Sequence, residues 1–254
     1  MQTIKLLIQR SLSWALRDWT FTMPFGIAQG IKRRYGLGFR PTWQLTRDEQ
    51  FLRELDYTGQ IVYDVGGYIG LYTLFFASRV GPYGHVVTFE PHPGNHAELR
   101  YNVALNGFTQ VTLFPVAVGR EAGLLDLTLD PLNPARSTFF PTRLTYLPKA
   151  WKRQVVQVEV VSLDQFTSAH NLPHPDFIKI DVEGSEIEAL TGMTRILANY
   201  RPRLFIEVHG PFRPVLVDFL QQARYTLYHI ETDQPIQENK VALRGGHLFC
   251  EPVK

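Results

Sequence analysis

The sequence has a single cysteine, no long apolar run and almost no net charge, and each absence excludes a class of protein. One cysteine, Cys250, excludes an internal disulfide and a cysteine-ligated metal cluster and favours a reducing, cytoplasmic environment. No run reaches the roughly 18 apolar residues of a membrane span, and no stretch has the pattern of a secretory signal. A net charge of +2 in 254 residues gives no reason to expect nucleic acid as a partner.

Positive charge is nevertheless concentrated at the start of the chain. Residues 1–35 carry six basic side chains and one acidic side chain. Apolar residues recur every three or four positions from Ile4 to Trp19, which is the spacing of an amphipathic helix. This helix either packs on the domain's own core or lies on an anionic membrane surface through residues 1–20, as Trp14 and the basic excess favour. The second interpretation would place a cytoplasmic protein at the inner surface of the membrane.

The main domain is predicted from residue 46 to residue 254, after a helix and an irregular lead-in at 1–45. Hydrophobic residues make up 44% of the chain, enough for one sizeable core. Short apolar runs alternate with stretches of helical spacing, which predicts parallel strands with helices on both faces. The fold class is therefore α/β, a doubly wound, mostly parallel seven-stranded sheet. The predicted strands are 61–63, 85–90, 111–118, 176–182, 202–209, 226–230 and 246–250. The predicted helices include 46–55, 95–106, 186–197 and 215–223.

Two further features of this layout concern its edges. The strands 226–230 and 246–250 are expected to pair at one edge of the sheet. Residues 119–161 break the alternation with four prolines between two short strand-like segments, and are predicted to form an insertion. A segment of this kind is often a lid or a wall of the substrate site, and otherwise a solvent-side excursion without a role.

The centre of the domain is the stretch 61–73, which reads as a strand, a glycine-rich loop and the start of a helix. Gly66, Gly67 and Gly70 allow a turn whose backbone N–H groups face a ligand. Their spacing differs from the Gly-x-Gly-x-x-Gly pattern of dinucleotide sites. Asp64, at the strand tip, would repel a phosphate and attract an ammonium or sulfonium group. The loop therefore favours a cationic, amino-acid-bearing nucleoside.

Acidic side chains end four of the predicted strands, at the sheet edge where ligands bind in such folds. These residues are Asp64, Glu90, Asp181 with Glu183, and Glu207 with His209. Acids at a buried rim are costly unless they are paired, so packing alone does not explain them. Glu90 lies one strand–helix unit after the glycine loop, where a carboxylate accepts hydrogen bonds from both ribose hydroxyls. A nicotinamide cofactor would use Glu90 in the same way, and only the combination with Asp64 and the loop spacing argues against it.

Four patches at these positions resemble the class I S-adenosylmethionine-dependent methyltransferases, and more narrowly the FkbM family. The patches are Tyr-Asp-Val-Gly-Gly-Tyr-Ile-Gly (63–70), Phe-Glu-Pro-His-Pro (89–93), Ile-Lys-Ile-Asp-Val-Glu-Gly-Ser-Glu (178–186) and Ile-Glu-Val-His (206–209). The similarity spans residues 46–250, and Gly67 and Tyr68 stand where the family pattern has Ala and Asn. The resemblance implies a Rossmann-like fold and O-methylation of a small or lipid-linked hydroxyl compound, such as a sugar, glycolipid or polyketide.

The resemblance also implies a role for each matching residue. The backbone of 66–70 holds the methionine part of S-adenosylmethionine, and Glu90 holds the ribose, with Pro91 shaping the turn. Ala117 and Val118 flank the adenine, and Asp181 faces the amino group or the transferred methyl. The predicted cofactor residues are Asp64, Gly66, Gly67, Tyr68, Gly70, Thr73, Glu90, Pro91, Ala117, Val118 and Asp181.

Methylation of an alcohol also needs a group that removes its proton. His209 is the first choice because the ordinary pKa of histidine lies near neutrality, followed by Asp181 and Glu183. Each has a plain structural alternative: a satisfied strand-end histidine, or a carboxylate capping the helix at Ser185. These residues could hold a divalent cation, but their spacing does not demand one, and no metal ligand is assigned.

Two other functions remain open from the sequence. An NAD-dependent oxidoreductase is disfavoured by the loop spacing. A non-catalytic binding protein that keeps the fold is favoured slightly by Tyr68 in the glycine loop.

Overall fold

The computed structural model describes residues 19–34, 44–129, 137, 154–211, 214–236 and 244–253. Apart from Trp19, the predicted N-terminal helix lies outside these residues, as do positions 35–43 of the lead-in and most of the interior of the insertion. The helices of the described part are α1 (Arg47–Glu54), α2 (Leu71–Arg79), α3 (Pro93–Leu105), α4 (Leu163–Ala169), α5 (Glu186–Thr191), α6 (Thr194–Asn199) and α7 (Pro214–Gln222). None of these helices combines the length and apolarity that crossing a bilayer requires.

The strands form one large sheet, one small sheet and a hairpin. They are β1 (Thr20–Thr22), β2 (Lys32–Arg34), β3 (Ile61–Val65), β4 (His85–Phe89), β5 (Val111–Phe114), β6 (Ala117–Val118), β7 (Gly123–Leu129), β8 (Gln154–Val161), β9 (Phe177–Ile180), β10 (Arg203–Pro211), β11 (Tyr225–His229), β12 (Gln234–Pro235) and β13 (Arg244–Pro252). The large sheet has the order β12-β11-β13-β10-β9-β3-β4-β5. Its strands from β10 to β5 are parallel, and β13, β11 and β12 are antiparallel.

This topology confirms the doubly wound, mostly parallel sheet, with the two-residue strand β12 added as an eighth member at the edge. The strands alternate between two buried faces, because helices cover both sides of the sheet. In β3, Tyr63 and Val65 belong to one core cluster and Val62 to the other. The predicted pair of final strands is β11 and β13. However, β13 lies inside the sheet between β10 and β11, so only one member of that pair lies toward the edge.

Two predicted elements are each divided into two. The strand predicted at 111–118 ends at Phe114, and its remainder is β6 in the small sheet, which has the order β6-β8-β7. Pro115 lies at the break and has no N–H to donate to a ladder. The helix predicted at 186–197 is interrupted at Gly192, where a Cβ atom would lie 1.9 Å from the backbone oxygen of Gly119. Close approach of the chain near β6 therefore requires glycine at the break.

Regular structure also occurs in the lead-in, which the sequence predicts to be irregular, and at the ends of the insertion, where the two predicted strand-like segments are β7 and β8. Residues 20–34 of the lead-in contain the antiparallel hairpin of β1 and β2. Helix α3 holds this hairpin, because Asn106 and Asn102 accept hydrogen bonds from the backbone of Lys32 and Arg34. At the described ends of the insertion, β7 and β8 pair antiparallel from Gly123 to Leu129. Both pairings depend on contacts between distant parts of the chain.

Candidate active site

The glycine loop between β3 and α2 packs too closely against its neighbours to accept side chains. Gly66 has a φ of +90°, and a Cβ atom there would lie 1.8 Å from the backbone oxygen of Asp181. A Cβ at Gly67 would lie 2.2 Å from Thr88 Cγ2, and one at Gly70 (φ +101°) would lie 2.6 Å from a Leu99 methyl. Of the three glycines, Gly66 lines the neighbouring cavity. The other two bring the loop against the sheet and α3.

Tyr68 lies at the tip of this loop in the left-handed region, with a φ of +49°. Asparagine tolerates that conformation better than most residues, which agrees with the family pattern at this position. The Tyr68 N–H donates to Glu90 Oε2 at 2.8 Å, and burial raises the pKa of its phenol to about 12. The backbone of Tyr68 therefore links the loop to the tip of β4.

Glu90 is almost completely buried and bonded on both oxygens. Its Oε1 accepts hydrogen bonds from His92 N at 2.9 Å and Asn95 Nδ2 at 3.3 Å. Burial raises the pKa of this carboxyl to about 7, although the hydrogen bonds from His92 and Tyr68 counteract the rise. Asn95 was not predicted from the sequence. A polar residue in the first turn of the helix after a strand-end acid is the signal that could have identified it.

A cavity of about 280 Å³ lies beside the loop, at the carboxyl ends of the parallel strands. The predicted site residues that line it are Gly66, Tyr68, Glu90, Pro91, Ala117, Val118, Asp181 and Glu183. Lining residues that were not assigned a cofactor or catalytic role from the sequence include Phe89, His92, Asn95, Leu127, Ser185 and Glu207. Leu127 comes from β7, so the segment predicted as an insertion contributes a side chain to the cavity lining.

The structure places Asp64 and Thr73 behind the loop and not in the cavity, which corrects the expectation that Asp64 faces a cationic ligand. Both side chains are fully buried, and Asp64 Oδ2 accepts a hydrogen bond from Thr73 Oγ1 at 2.6 Å. Lys179 Nζ lies 4.0 Å from Asp64 Oδ1 and 3.2 Å from Asp181 Oδ2. The charge of Asp64 is thus directed to Lys179, a buried lysine that was not singled out from the sequence.

His209 is not among the residues that line the cavity and lies beside it, among four carboxyl groups. Its Nδ1 contacts Glu186 Oε1 at 2.8 Å. Its Nε2 lies 3.4 Å from Glu207, 3.6 Å from Glu183 and 3.8 Å from Asp181. Burial opposes the charged imidazole, but the hydrogen bonds to Glu186 and Glu207 raise its pKa to about 10. The reason for choosing His209 as the base, a pKa near neutrality, is therefore not met.

Glu207 is held between two histidines. Its Oε1 faces His209, and its Oε2 lies 3.6 Å from Nε2 of His247, the residue opposite it on β13. Burial would raise the pKa of Glu207, but the two histidines that lie beside its oxygens, His209 and His247, hold it well below its usual range. Glu207 is therefore ionised at neutral pH, and it joins Asp181 and Glu183 along one side of the cavity.

Comparison with known proteins gives one family and several distant relatives. The profile described as methyltransferase FkbM domain matches residues 64–227. Methyltransferase 1 of Beauveria bassiana is 31% identical over 144 residues, which cover 52% of this chain and 57% of the relative. The hexuronic acid methyltransferase AglP of Haloferax volcanii is 25% identical over 154 residues, which cover 61% of this chain and 58% of the relative. The chain thus spans less than two thirds of the length of these curated relatives.

Among solved structures, a methyltransferase FkbM from Methylobacillus flagellatus is similar with a TM-score of 0.48 and 17% identity. The match covers 78% of this chain and 45% of that chain.

Proposed function

Because this chain belongs to the FkbM methyltransferase family, we propose that it is an S-adenosylmethionine-dependent O-methyltransferase. Its acceptor is a hydroxyl group of a sugar, glycolipid, polyketide or similar small metabolite. The name of one relative, a hexuronic acid methyltransferase at 25% identity, supports a sugar among these classes. The premise rests on a family match to residues 64–227, a range that includes every predicted site residue.

The observation that carries the proposal is the pairing of bare backbone at Gly66 with the carboxylate of Glu90 on one cavity. Gly66 presents only backbone, because a Cβ atom there would collide with the backbone oxygen of Asp181, and Glu90 is fixed at the tip of β4 by the N–H groups of Tyr68 and His92. These are the donor and acceptor types that a methionine moiety and a ribose require. Ala117 and Val118 add an apolar wall suited to a purine ring.

The donor set therefore fits S-adenosylmethionine. When bound, this cofactor supplies a methyl group that its positively charged sulfur has already activated. The side chains that would hold it are Glu90, Ala117, Val118 and Asp181, together with the backbone from Gly66 to Tyr68. Negative charge along the Asp181 side of the cavity favours a cationic ligand.

The remaining task of the protein is to align an acceptor oxygen with the methyl group. Alignment alone lowers the activation free energy by about 7–11 kcal/mol. His209, Asp181 and Glu183 are the proposed catalytic residues, because Asp181 and Glu183 line the cavity and His209 Nε2 lies 3.8 Å and 3.6 Å from their carboxyl groups. As an imidazolium, His209 holds the carboxylates around it in place and does not itself remove a proton.

Calorimetric titration with S-adenosylhomocysteine tests the proposal. We expect binding by the wild type and roughly ten- to hundredfold weaker binding by Glu90→Gln, because charge-assisted hydrogen bonds contribute about 1.5–3 kcal/mol. Glu251→Gln is the matched control, since Glu251 is exposed on β13 near the amino ends of the parallel strands. Absence of heat with the wild type would refute the proposal, and binding of NAD in its place would favour an oxidoreductase.

Radiolabelled methyl donor with panels of hydroxylated acceptors then separates the enzyme from a non-catalytic binding protein. Transfer to any hydroxyl supports the enzyme, whereas cofactor binding without transfer to crude extracts supports the alternative.

The proposal includes a lipid-linked acceptor, which the protein would reach by binding the membrane surface through residues 1–20. Their basic excess and Trp14 and Trp19 suit an anionic membrane surface, and the side chain of Trp19 is 60% exposed. In a flotation assay the full chain is expected to rise with anionic vesicles, and a variant with both Trp14→Ala and Trp19→Ala is expected to stay at the bottom of the gradient. Equal behaviour of both proteins would contradict the membrane contact.

A further inference from the structure

We propose that Asp181, Glu207 and His209 form a binding site for a divalent cation of the Mn²⁺ or Mg²⁺ type. Its role, which rests on the proposed function, is to hold the acceptor hydroxyl beside the cofactor cavity and to promote loss of its proton. Asp181 follows β9, and Glu207 and His209 lie two residues apart on the neighbouring strand β10. The site is therefore built on the rigid end of the parallel sheet.

The distances between the donor atoms suit an ion shared by all three side chains. One ligand atom from each of Asp181, Glu207 and His209 lies within 4.8 Å of the others. His209 Nε2 is 3.4 Å from Glu207 Oε1 and 3.8 Å from Asp181 Oδ1. Good hydrogen bonds are about 2.7–3.2 Å, whereas ligands bonded at about 2.0–2.3 Å to one ion lie roughly 3.0–3.8 Å apart. Glu183 Oε2, 3.6 Å from His209 Nε2, is a fourth oxygen within reach.

A separate observation is that each of the three groups is fixed from outside by its other polar atom. Buried Glu186 holds His209 Nδ1 at 2.8 Å, which directs Nε2 toward the carboxylates, and the ion takes the place of the Nε2 proton of the imidazolium. Lys179, also buried, holds Asp181 Oδ2 at 3.2 Å, and His247 lies 3.6 Å from Glu207 Oε2. Such outer partners are a regular feature of metal sites, where they orient the ligands. Here three different outer side chains contact one polar atom of each ligand, and the remaining donor atoms, one on each ligand, converge.

The chemistry of the donors selects the class of ion. Carboxylate oxygens suit Mg²⁺ and Mn²⁺, and an imidazole nitrogen shifts the preference toward Mn²⁺ over Ca²⁺. The four carboxyl groups around His209 outnumber the cationic groups of His209, Lys179 and His247. A divalent ion in place of the Nε2 proton would neutralise that excess negative charge.

The position of the site gives the ion a task in methyl transfer. Asp181 and Glu207 both line the cavity, so an ion between them faces the space for the acceptor. A divalent ion lowers the pKa of an oxygen bound to it. The hydroxyl proton passes to solvent water, an O–C bond forms, and the S–C bond of the cofactor breaks. The electron pair of that bond stays on sulfur, so the products are the methyl ether and neutral S-adenosylhomocysteine.

Electron paramagnetic resonance of added Mn²⁺ tests the site without any substrate. We expect one Mn²⁺ bound at submillimolar concentration by the wild type and by Glu251→Gln, and at least tenfold weaker binding by Asp181→Asn and His209→Gln. Electron spin echo modulation from a directly bound ¹⁴N is expected in the wild type and absent in His209→Gln. No binding at millimolar Mn²⁺, no nitrogen modulation in the wild type, or equal affinity in the variants would overturn the site. If His209→Gln fails to fold, the presence or absence of the nitrogen modulation in the wild type decides whether a histidine binds the ion.

The role of the ion is tested separately from the proposed function. S-adenosylhomocysteine binding is expected to persist in EDTA, because Asp181 is the only proposed cofactor residue that belongs to the metal site, whereas Glu90 and the backbone at Gly66 lie outside it. Methyl transfer is expected to fall at least tenfold in EDTA and to return with Mn²⁺ or Mg²⁺. Full transfer in EDTA overturns the activating role while leaving the methyltransferase proposal intact. If the protein binds Mn²⁺ but not S-adenosylhomocysteine, the metal site stands and the methyltransferase proposal fails.

Discussion

Replacing Gly67 by alanine tests whether the glycine loop is packed as tightly as the structure shows. Alanine is the family residue at this position, so its exclusion here needs a local cause. The backbone is not that cause, because Gly67 lies outside the left-handed region. The cause is Thr88, whose Cγ2 methyl would lie 2.2 Å from the new Cβ, well inside ordinary contact at 3.4–4 Å. Thr73 Oγ1 at 3.2 Å and a Leu99 methyl at 3.3 Å would need smaller shifts.

The magnitude follows from the burial of this contact. Thr88 is fully buried, so its methyl has no free space to enter, and overpacking of this kind costs about 1–3 kcal/mol. Thr88→Ser removes only the methyl and keeps the hydroxyl that donates to Thr73 Oγ1. By itself it should cost about 1 kcal/mol for the lost methyl. In the double variant the new methyl occupies the vacated space, so a favourable coupling of about 1–2 kcal/mol is expected.

The assay is urea denaturation, monitored by circular dichroism, of the wild type, the two single variants and the double variant. Gly123→Ala is the control, because nothing lies within 4 Å of a Cβ at that position, and its effect should stay within about 0.5 kcal/mol. If the two single effects add to within about 0.3–0.5 kcal/mol, the Thr88 methyl is not what excludes alanine.

Two further predictions concern the same loop and its partner. Gly66→Ala should destabilise the fold by about 3 kcal/mol or more, because it combines a left-handed φ with a collision between the new Cβ and the backbone oxygen of Asp181. The control is Gly107→Ala, which has a φ of +67° and open space around the new Cβ and should cost about 1 kcal/mol. Equal decreases of the urea midpoint in the two variants would contradict this prediction. The affinity for S-adenosylhomocysteine should rise roughly tenfold from pH 6 to pH 8, because Glu90, with a pKa of about 7, must ionise to accept two ribose hydroxyls. Calorimetry at both pH values should show no such rise in Glu90→Gln, and a rise in that variant would locate the titration elsewhere.

The sequence was most informative where one local pattern carried the physics. Alternation of apolar runs with helical spacing predicted the doubly wound sheet, and acids at strand tips predicted that Glu90, Asp181 and Glu207 lie at one edge. The helix predicted at 46–55 is α1, and Thr46 and Glu49 form a capping box at its start. Each of these features depends on residues within a few positions of one another, so the chain does not need to be folded for them to be visible.

Features that depend on distant contacts were predicted less well. Asp64 has the right place in the motif, yet its side chain is directed to Thr73 and Lys179. The division of 111–118 between two sheets follows from pairing with β8, some forty residues later. The hairpin of β1 and β2 depends on α3.

The sequence by itself determined the class of fold, the family and the glycine loop with its strand-tip acids, because periodicity and motif spacing are properties of short stretches. The tertiary structure alone decided the charge state of His209 and the direction of Asp64. The charge state of His209 is set by the carboxyl groups of Glu183, Glu186 and Glu207, and the direction of Asp64 is set by Lys179. These groups become neighbours only when β3, β9, β10 and α5 come together. Electrostatic interactions depend on distance in space, and distance in space follows from the packing of the whole chain.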